Sequence, residues 1–161
     1  MRFSFGNSLE DRALRFASEA HSGQTDKGGG AYIEHAIRVA DLVGGNHVSS
    51  TLIACAYLHD VVEDTDVTAD EIRSRFGYSV AETVDRLTRR KDEAYFDYID
   101  RCGRDRFARL IKMADLVDNM NLARLPTLTA DDARRQKKYA DALLKLISIE
   151  EEIHNGHIPD R

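Results

Sequence analysis

The sequence has little of what breaks helices or staples small folds: two prolines and two cysteines in 161 residues. Scarce proline, together with little strict polar/apolar alternation, leaves helices as the explanation of nearly every periodic segment. The cysteines, Cys55 and Cys102, stand far apart with no Cys-x-x-Cys, which excludes a disulfide framework and a closed thiolate zinc site. No secretory apolar region follows Met1-Arg2-Phe3-Ser4-Phe5, so a reducing cytoplasm is the expected compartment. No apolar run approaches the ~20 residues of a membrane span, and no membrane partner is expected. Positive charge is not in excess either. With 23 Lys and Arg against 28 Asp and Glu, the net charge of -5 argues against a broad nucleic-acid-binding surface and leaves room for a small anionic ligand.

What is present reads as one all-α domain over residues 1–161, with a helical core from about residue 8 to residue 153. A chain of this length builds a core without disulfides or metal, so any metal serves chemistry. Ser8 caps a first helix that runs to His21. Beyond the loop that contains Gly28-Gly29-Gly30, a second helix spans about 33–43 and ends at Gly44-Gly45. The triple glycine lacks the spacing of a Walker or dinucleotide loop. A third helix, about 48–63, is apolar nearly all round and therefore central. Thr68 and Glu71 form a capping box for a short helix that stops at Gly77, and further helices are expected over about 79–90 and 94–102. Asp105 caps a long one to about Leu125, closed by Pro126, and Thr129 caps the last, to about Ile153.

The chemistry concentrates at His59-Asp60-Val61-Val62-Glu63-Asp64. Helix C-termini favour cations, so three acids within five residues are misplaced there unless a bound cation reverses the penalty. His59 and Glu63 share one face and Asp60 and Asp64 the adjoining one. The ordinary alternative is a core histidine beside a solvated acidic helix end. On the long helix, Lys112, Asp115 and Asn119 fall on one narrow side of a mostly apolar cylinder, where a buried aspartate needs a strong partner. A Lys112–Asp115 ion pair is one such partner, but it leaves Asn119 unexplained. His35, in the first turn of the second helix, alone reads as a cap or a core hydrogen bonder. With His59, Asp60 and Asp115 it completes a mixed imidazole and carboxylate set that suits Mn, Fe or Zn better than Ca or Mg.

Four blocks now stand in order: His21-Ser22-Gly23-Gln24 with Lys27; Tyr32-Ile33-Glu34-His35; Leu58 to Thr65; and Lys112-Met113-Ala114-Asp115 with Asn119-Met120. In these the chain resembles the HD-domain phosphohydrolases, and among them the small alarmone hydrolases related to the RelA/SpoT hydrolase domain. The resemblance implies a single-domain helical bundle in which His35, His59, Asp60 and Asp115 hold one divalent metal, usually manganese. It implies removal of pyrophosphate from the 3′ position of a guanosine alarmone, with Glu63 and Asp64 handling water and protons. Lys27, Lys112 and Asn119 are the substrate-binding residues it suggests.

The chain also departs from the family pattern. Asp26 stands where many relatives carry an arginine expected to stack on guanine, and Ala31 replaces a usual proline. Leu116, Asp118, Asn121 and Leu122 replace Arg, His, Arg and Thr. An acid cannot repeat a stacking contact, so adenosine alarmones stand beside guanosine ones as expected substrates. The rival functions are an HD-type 5′-nucleotidase, which would release phosphate, and a non-catalytic nucleotide-binding HD module. The expected partner is a small nucleotide and no nucleic acid; the sequence sets no oligomeric state. The basic runs 86–91, 101–109 and 134–138 are read as solvated helix faces, with contact to polyphosphate as the alternative, and Tyr95 and Tyr98 as core packing, with a place at the pocket border as the alternative.

Overall fold

The computed structural model describes residues 6–44 and 48–159, so residues 1–5, 45–47 and 160–161, Gly45 among them, lie outside the described residues. The elements in chain order are α1 (Leu9–Ala20), α2 (Tyr32–Val43), α3 (Ser50–Leu58), α4 (Val61–Asp64), α5 (Ala69–Phe76), α6 (Tyr78–Leu87), α7 (Tyr95–Gly103), α8 (Arg106–Asn119), a 3-10 turn at Leu122–Arg124, and α9 (Ala130–His154). Among the described residues the only extended pairing is an isolated bridge between Thr25 and Ala31. The all-α expectation holds.

The starts follow capping chemistry. Ser8 and Asp11 form a reciprocal box on α1, Thr129 and Asp132 another on α9, and Asp105 accepts from the Ala108 amide at 2.8 Å. Each such cap contributes about 1 kcal/mol. The helix α3 is the hub, packed against α1, α2, α6 and α8. Its Leu52, Ala54, Cys55, Ala56 and Leu58 are all buried, as an all-round apolar helix requires. Burial pushes the Cys55 thiol up to about 12 and the Cys102 thiol up to about 11, so both behave as core hydrophobes. Among the described residues no helix is long and apolar enough to cross a membrane.

Three helix ends differ from expectation. The third helix does not run unbroken to Glu63 but pauses at His59-Asp60 before α4. There the His59 ring donates from Nδ1 to the Ala56 carbonyl at 2.7 Å, the acceptor that the amide of residue 60 would use in a continuing helix. The long helix stops at Asn119, short of Leu125, because Arg124 Nη2 donates to the Asp118 carbonyl at 2.7 Å and Asn121 caps the following turn. The helix α6 stops at Leu87 instead of residue 90. Arg101 takes the Arg86 and Thr88 carbonyls at 2.9 and 3.0 Å, and Glu93 fixes Arg101 at 2.7 Å.

Candidate metal centre

Three elements bring the site together: the first turn of α2 carries His35, the α3–α4 break carries His59 and Asp60, and the last turns of α8 carry Asp115, Asp118 and Asn119. His35, His59 and Asp115 are buried, and each offers one ligand atom within 4.8 Å of the other two. Asp60 adjoins them, with Oδ2 at 3.0 Å from His59 Nε2 and 3.8 Å from His35 Nε2. The four residues expected as metal ligands therefore converge.

Both imidazoles are locked in one orientation by their far nitrogens. His59 Nδ1 donates to the Ala56 carbonyl, and His35 Nδ1 donates to Asp118 Oδ2 at 2.7 Å. Each ring therefore turns Nε2 toward the carboxylates, the arrangement that orients histidine ligands in metal sites. His59 Nε2 is buried without a hydrogen-bond partner; Asp60 is near but not aligned to accept or donate. Such an orphan lone pair is costly unless a cation fills the space before it. Two imidazoles and two carboxylates without thiolate fit a borderline divalent ion.

The electrostatics carry the same demand for positive charge. Burial opposes charging of His35, yet hydrogen bonds to Asp115 and Asp118 outweigh it and lift its pKa to about 9. Burial likewise opposes ionisation of Asp115 and Asp60, but Lys112 and the imidazoles for the first, and His59 for the second, hold both carboxyls well below the usual range. The Lys112 ammonium meets Asp115 Oδ2 at 2.6 Å and Asn119 Nδ2 donates to Oδ1 at 2.5 Å. The Lys112 ion pair and the approach of His35 thus coexist, on different oxygens of the Asp115 carboxylate. Lys112 and Asn119, expected to bind substrate, are turned toward Asp115.

The other expected residues lie around the rim. Glu63 is exposed on α4 and accepts from the Arg89 amide at 2.7 Å; Asp64, also exposed, accepts from the Tyr32 hydroxyl at 3.2 Å. Burial and, for each, the Asp60 charge push both carboxyls up. Lys27 does not join the histidines. It sits exposed on the glycine loop, in the field of Arg135, Asp132 and Lys138 on α9.

Two residues outside the expected set shape the site. Tyr32 donates to Asp60 as well as to Asp64, tying ligand to rim. Asp118 orients His35 and is itself gripped by Arg38 Nε at 2.8 Å and Arg124 Nη2 at 3.2 Å. The same two arginines hold Asp26 Oδ2, at 3.1 and 2.9 Å, while Asp26 Oδ1 accepts from the amides of Gly28 and Gly30 at 2.9 and 3.1 Å. Gly28 has to be glycine, since a Cβ there would lie 2.8 Å from the Arg124 carbonyl oxygen. Asp26 and Asp118, two separate departures from the family pattern, are thus partners in one network of two acids and two arginines. The only signal in the sequence was the offset of three between Asp115 and Asp118, which puts both on one side of α8.

The comparisons with known proteins agree with this geometry. A model of the HD-domain family matches residues 13–152. The chain is 35% identical over 133 residues to the guanosine-3′,5′-bis(diphosphate) 3′-pyrophosphohydrolase of Haemophilus influenzae, covering 76% of this chain and 19% of that protein. It is 33% identical over 143 residues to the enzyme of the same name from Aquifex aeolicus, covering 84% of this chain and 20% of that one. The chain thus spans about a fifth of the length of these relatives. A solved structure of a metazoan ortholog of SpoT superposes with a TM-score of 0.74 at 23% identity, covering 95% of this chain and 98% of that one, and so shares its fold. Fold, convergent His and Asp residues and the matched family model lead to one conclusion: the chain belongs to the HD-domain family.

Proposed function

We propose that this chain is a metal-dependent 3′-pyrophosphohydrolase of guanosine or adenosine alarmones. What carries the reading is the convergence of His35, His59 and Asp115, with fixed tautomers, beside two rim carboxylates whose pKa values are pushed up. In it His35, His59, Asp60 and Asp115 hold one divalent ion; the donor set suits Mn, Fe or Zn, and the family resemblance implies manganese among them. When bound, such an ion supplies Lewis acidity toward a phosphate oxygen and acidifies a nearby water. The protein's own groups do the rest. Glu63 and Asp64 take the proton from the attacking water and return it to the 3′ oxygen as the bond from that oxygen to phosphorus breaks, so that a free 3′-hydroxyl and pyrophosphate leave. Raised carboxyl pKa values suit groups that must both accept and give a proton near neutral pH. Tyr32 keeps Asp64 and Asp60 in register, and Lys112 and Asn119 fix Asp115. Lys27 meets the nucleotide from the glycine loop.

The test is product analysis of purified protein with Mn²⁺ and guanosine or adenosine 3′-pyrophosphorylated nucleotides. Pyrophosphate release supports the proposal; phosphate release would identify a phosphatase instead, and no turnover of either nucleotide would leave only binding. Glu63→Gln should keep the metal and lose on the order of 10²-fold to 10⁴-fold in rate.

A further inference from the structure

An alarmone carries phosphates at two ends, and the metal centre accounts for only the 3′ end. Beyond Asp115 a continuous row of cations and rings leads to the surface. The Lys112 ammonium lies 5.2 Å from the centroid of the Tyr98 ring, and the rings of Tyr98 and Tyr95 are 6.4 Å apart. Over the Tyr95 ring sit Lys138 at 4.6 Å and Arg89 at 5.8 Å, and Lys138 is also 5.3 Å from the Tyr139 ring. These residues come from α7, α8, α9 and the turn after α6, so the tertiary fold assembles them. Two of the runs read from sequence as solvated faces, 86–91 through Arg89 and 134–138 through Lys138, meet here.

Lys112 is paired with Asp115 and the Arg89 guanidinium donates to the Glu93 carbonyl at 2.7 and 3.1 Å, which leaves Lys138 as the cation of the row with no anion of its own. Among the described residues no carboxylate is ion-paired with Lys138 or Lys27, and Asp132 is taken by Arg135 and by the cap of α9. Burial first, then the charges of Arg89, Lys112 and Arg135, push the Lys138 ammonium pKa down. Cations crowded in this way, in a chain of net charge -5, are held together at a cost that a bound polyanion would remove. The Tyr95 hydroxyl adds a second sign: its oxygen is buried and has no hydrogen-bond partner. A hydroxyl donor without an acceptor beside two cations suits a phosphate oxygen.

We propose that Lys138, Arg89 and Tyr95 form a subsite for the phosphate groups at the 5′ end of the nucleotide, the ones the reaction leaves intact. This rests on the alarmone reading above and adds residues that fix which nucleotide is held. Lys138 and Arg89 hold phosphate charge, Tyr95 donates to an oxygen, and Lys112 joins this subsite to the metal centre. A substrate with a longer 5′ phosphate chain is bound more tightly, and that preference falls with salt.

The test compares wild type, Lys138→Met and Lys138→Arg with Mn²⁺ on two nucleotides that share a 3′-diphosphate and differ at the 5′ end, a diphosphate or a bare hydroxyl. The Met variant should raise KM for the 5′-diphosphate substrate about tenfold, with the loss falling on KM rather than kcat, and leave the 5′-hydroxyl substrate unmoved. Lys138→Arg should restore most of the affinity. A KM that does not change, or that rises equally for both substrates, overturns the subsite. A second measurement keeps it apart from the reaction itself: binding of inorganic tripolyphosphate in EDTA, by calorimetry, to wild type and to Lys138→Met. Salt-sensitive binding lost in the variant supports the subsite even if no alarmone is hydrolysed. No binding to wild type, or equal binding to both, refutes it.

Discussion

Replacing Asp118 by Asn isolates the contribution of a residue that touches no substrate in the proposed reaction. The change keeps the shape of the side chain and removes its charge. In the structure Oδ2 accepts from His35 Nδ1 at 2.7 Å while Oδ1 accepts from Arg38 Nε at 2.8 Å. An amide can satisfy only one of these. If its oxygen faces His35, its NH₂ faces the Arg38 N–H, donor against donor; if it flips, it meets the His35 N–H instead. In either pose His35 loses the carboxylate that fixes its orientation and raises its basicity as a ligand. Loss of such an outer partner costs about 10-fold to 100-fold in metal affinity, or about 1.4 to 2.7 kcal/mol. Calorimetric titration with Mn²⁺ measures it, with far-UV circular dichroism to confirm that the helices persist. A folded Asp118→Asn protein that binds Mn²⁺ within twofold of wild type would refute the role assigned to Asp118.

Two further outcomes follow from the same charge networks. Asp26→Arg installs the residue many relatives carry, yet here it puts a third guanidinium against Arg38 and Arg124 and removes the acceptor of the Gly28 and Gly30 amides. It should destabilise the fold by about 3 kcal/mol in urea titration; a variant as stable as wild type would show that the network does not hold the loop. The second concerns acid stability. Glu93 is held down to about 2 from 4.5, chiefly by its hydrogen bonds from Arg101. A depressed carboxyl contributes stability that is complete above pH ~4.5 and disappears as pH falls through about 2. Glu93→Gln should therefore be less stable at pH 7 and show a shallower fall in Tm between pH 4.5 and 2. Parallel Tm curves for the two proteins would argue against the pair.

The sequence alone determined the fold class, the order of the helices and the metal-centre candidates. Periodicity and caps are local, so Ser8, Thr68, Asp105 and Thr129 start their helices where expected. Asp115 was legible because a buried charge on a mostly apolar helix is costly without a partner, His59 and Asp60 because acids crowd a helix end, and His35 only as the member that completes a set with them. Helix ends were less legible, since the ends of α3, α6 and α8 are set by side chains that reach carbonyls: His59 from within its own turn, Arg101 and Arg124 from further along the chain. Only the tertiary structure could place Asp26. In the sequence it was a missing arginine; in space it is the acid that two arginines, 12 and 98 positions further along the chain, share with Asp118. Likewise Arg89 and Lys138, from two separate basic runs, meet Lys112 on one patch of tyrosines only after α7, α8 and α9 pack. Local patterning decides which helices form. Contacts between residues distant in sequence depend on how those helices cross, and that decided what the charged residues between them hold.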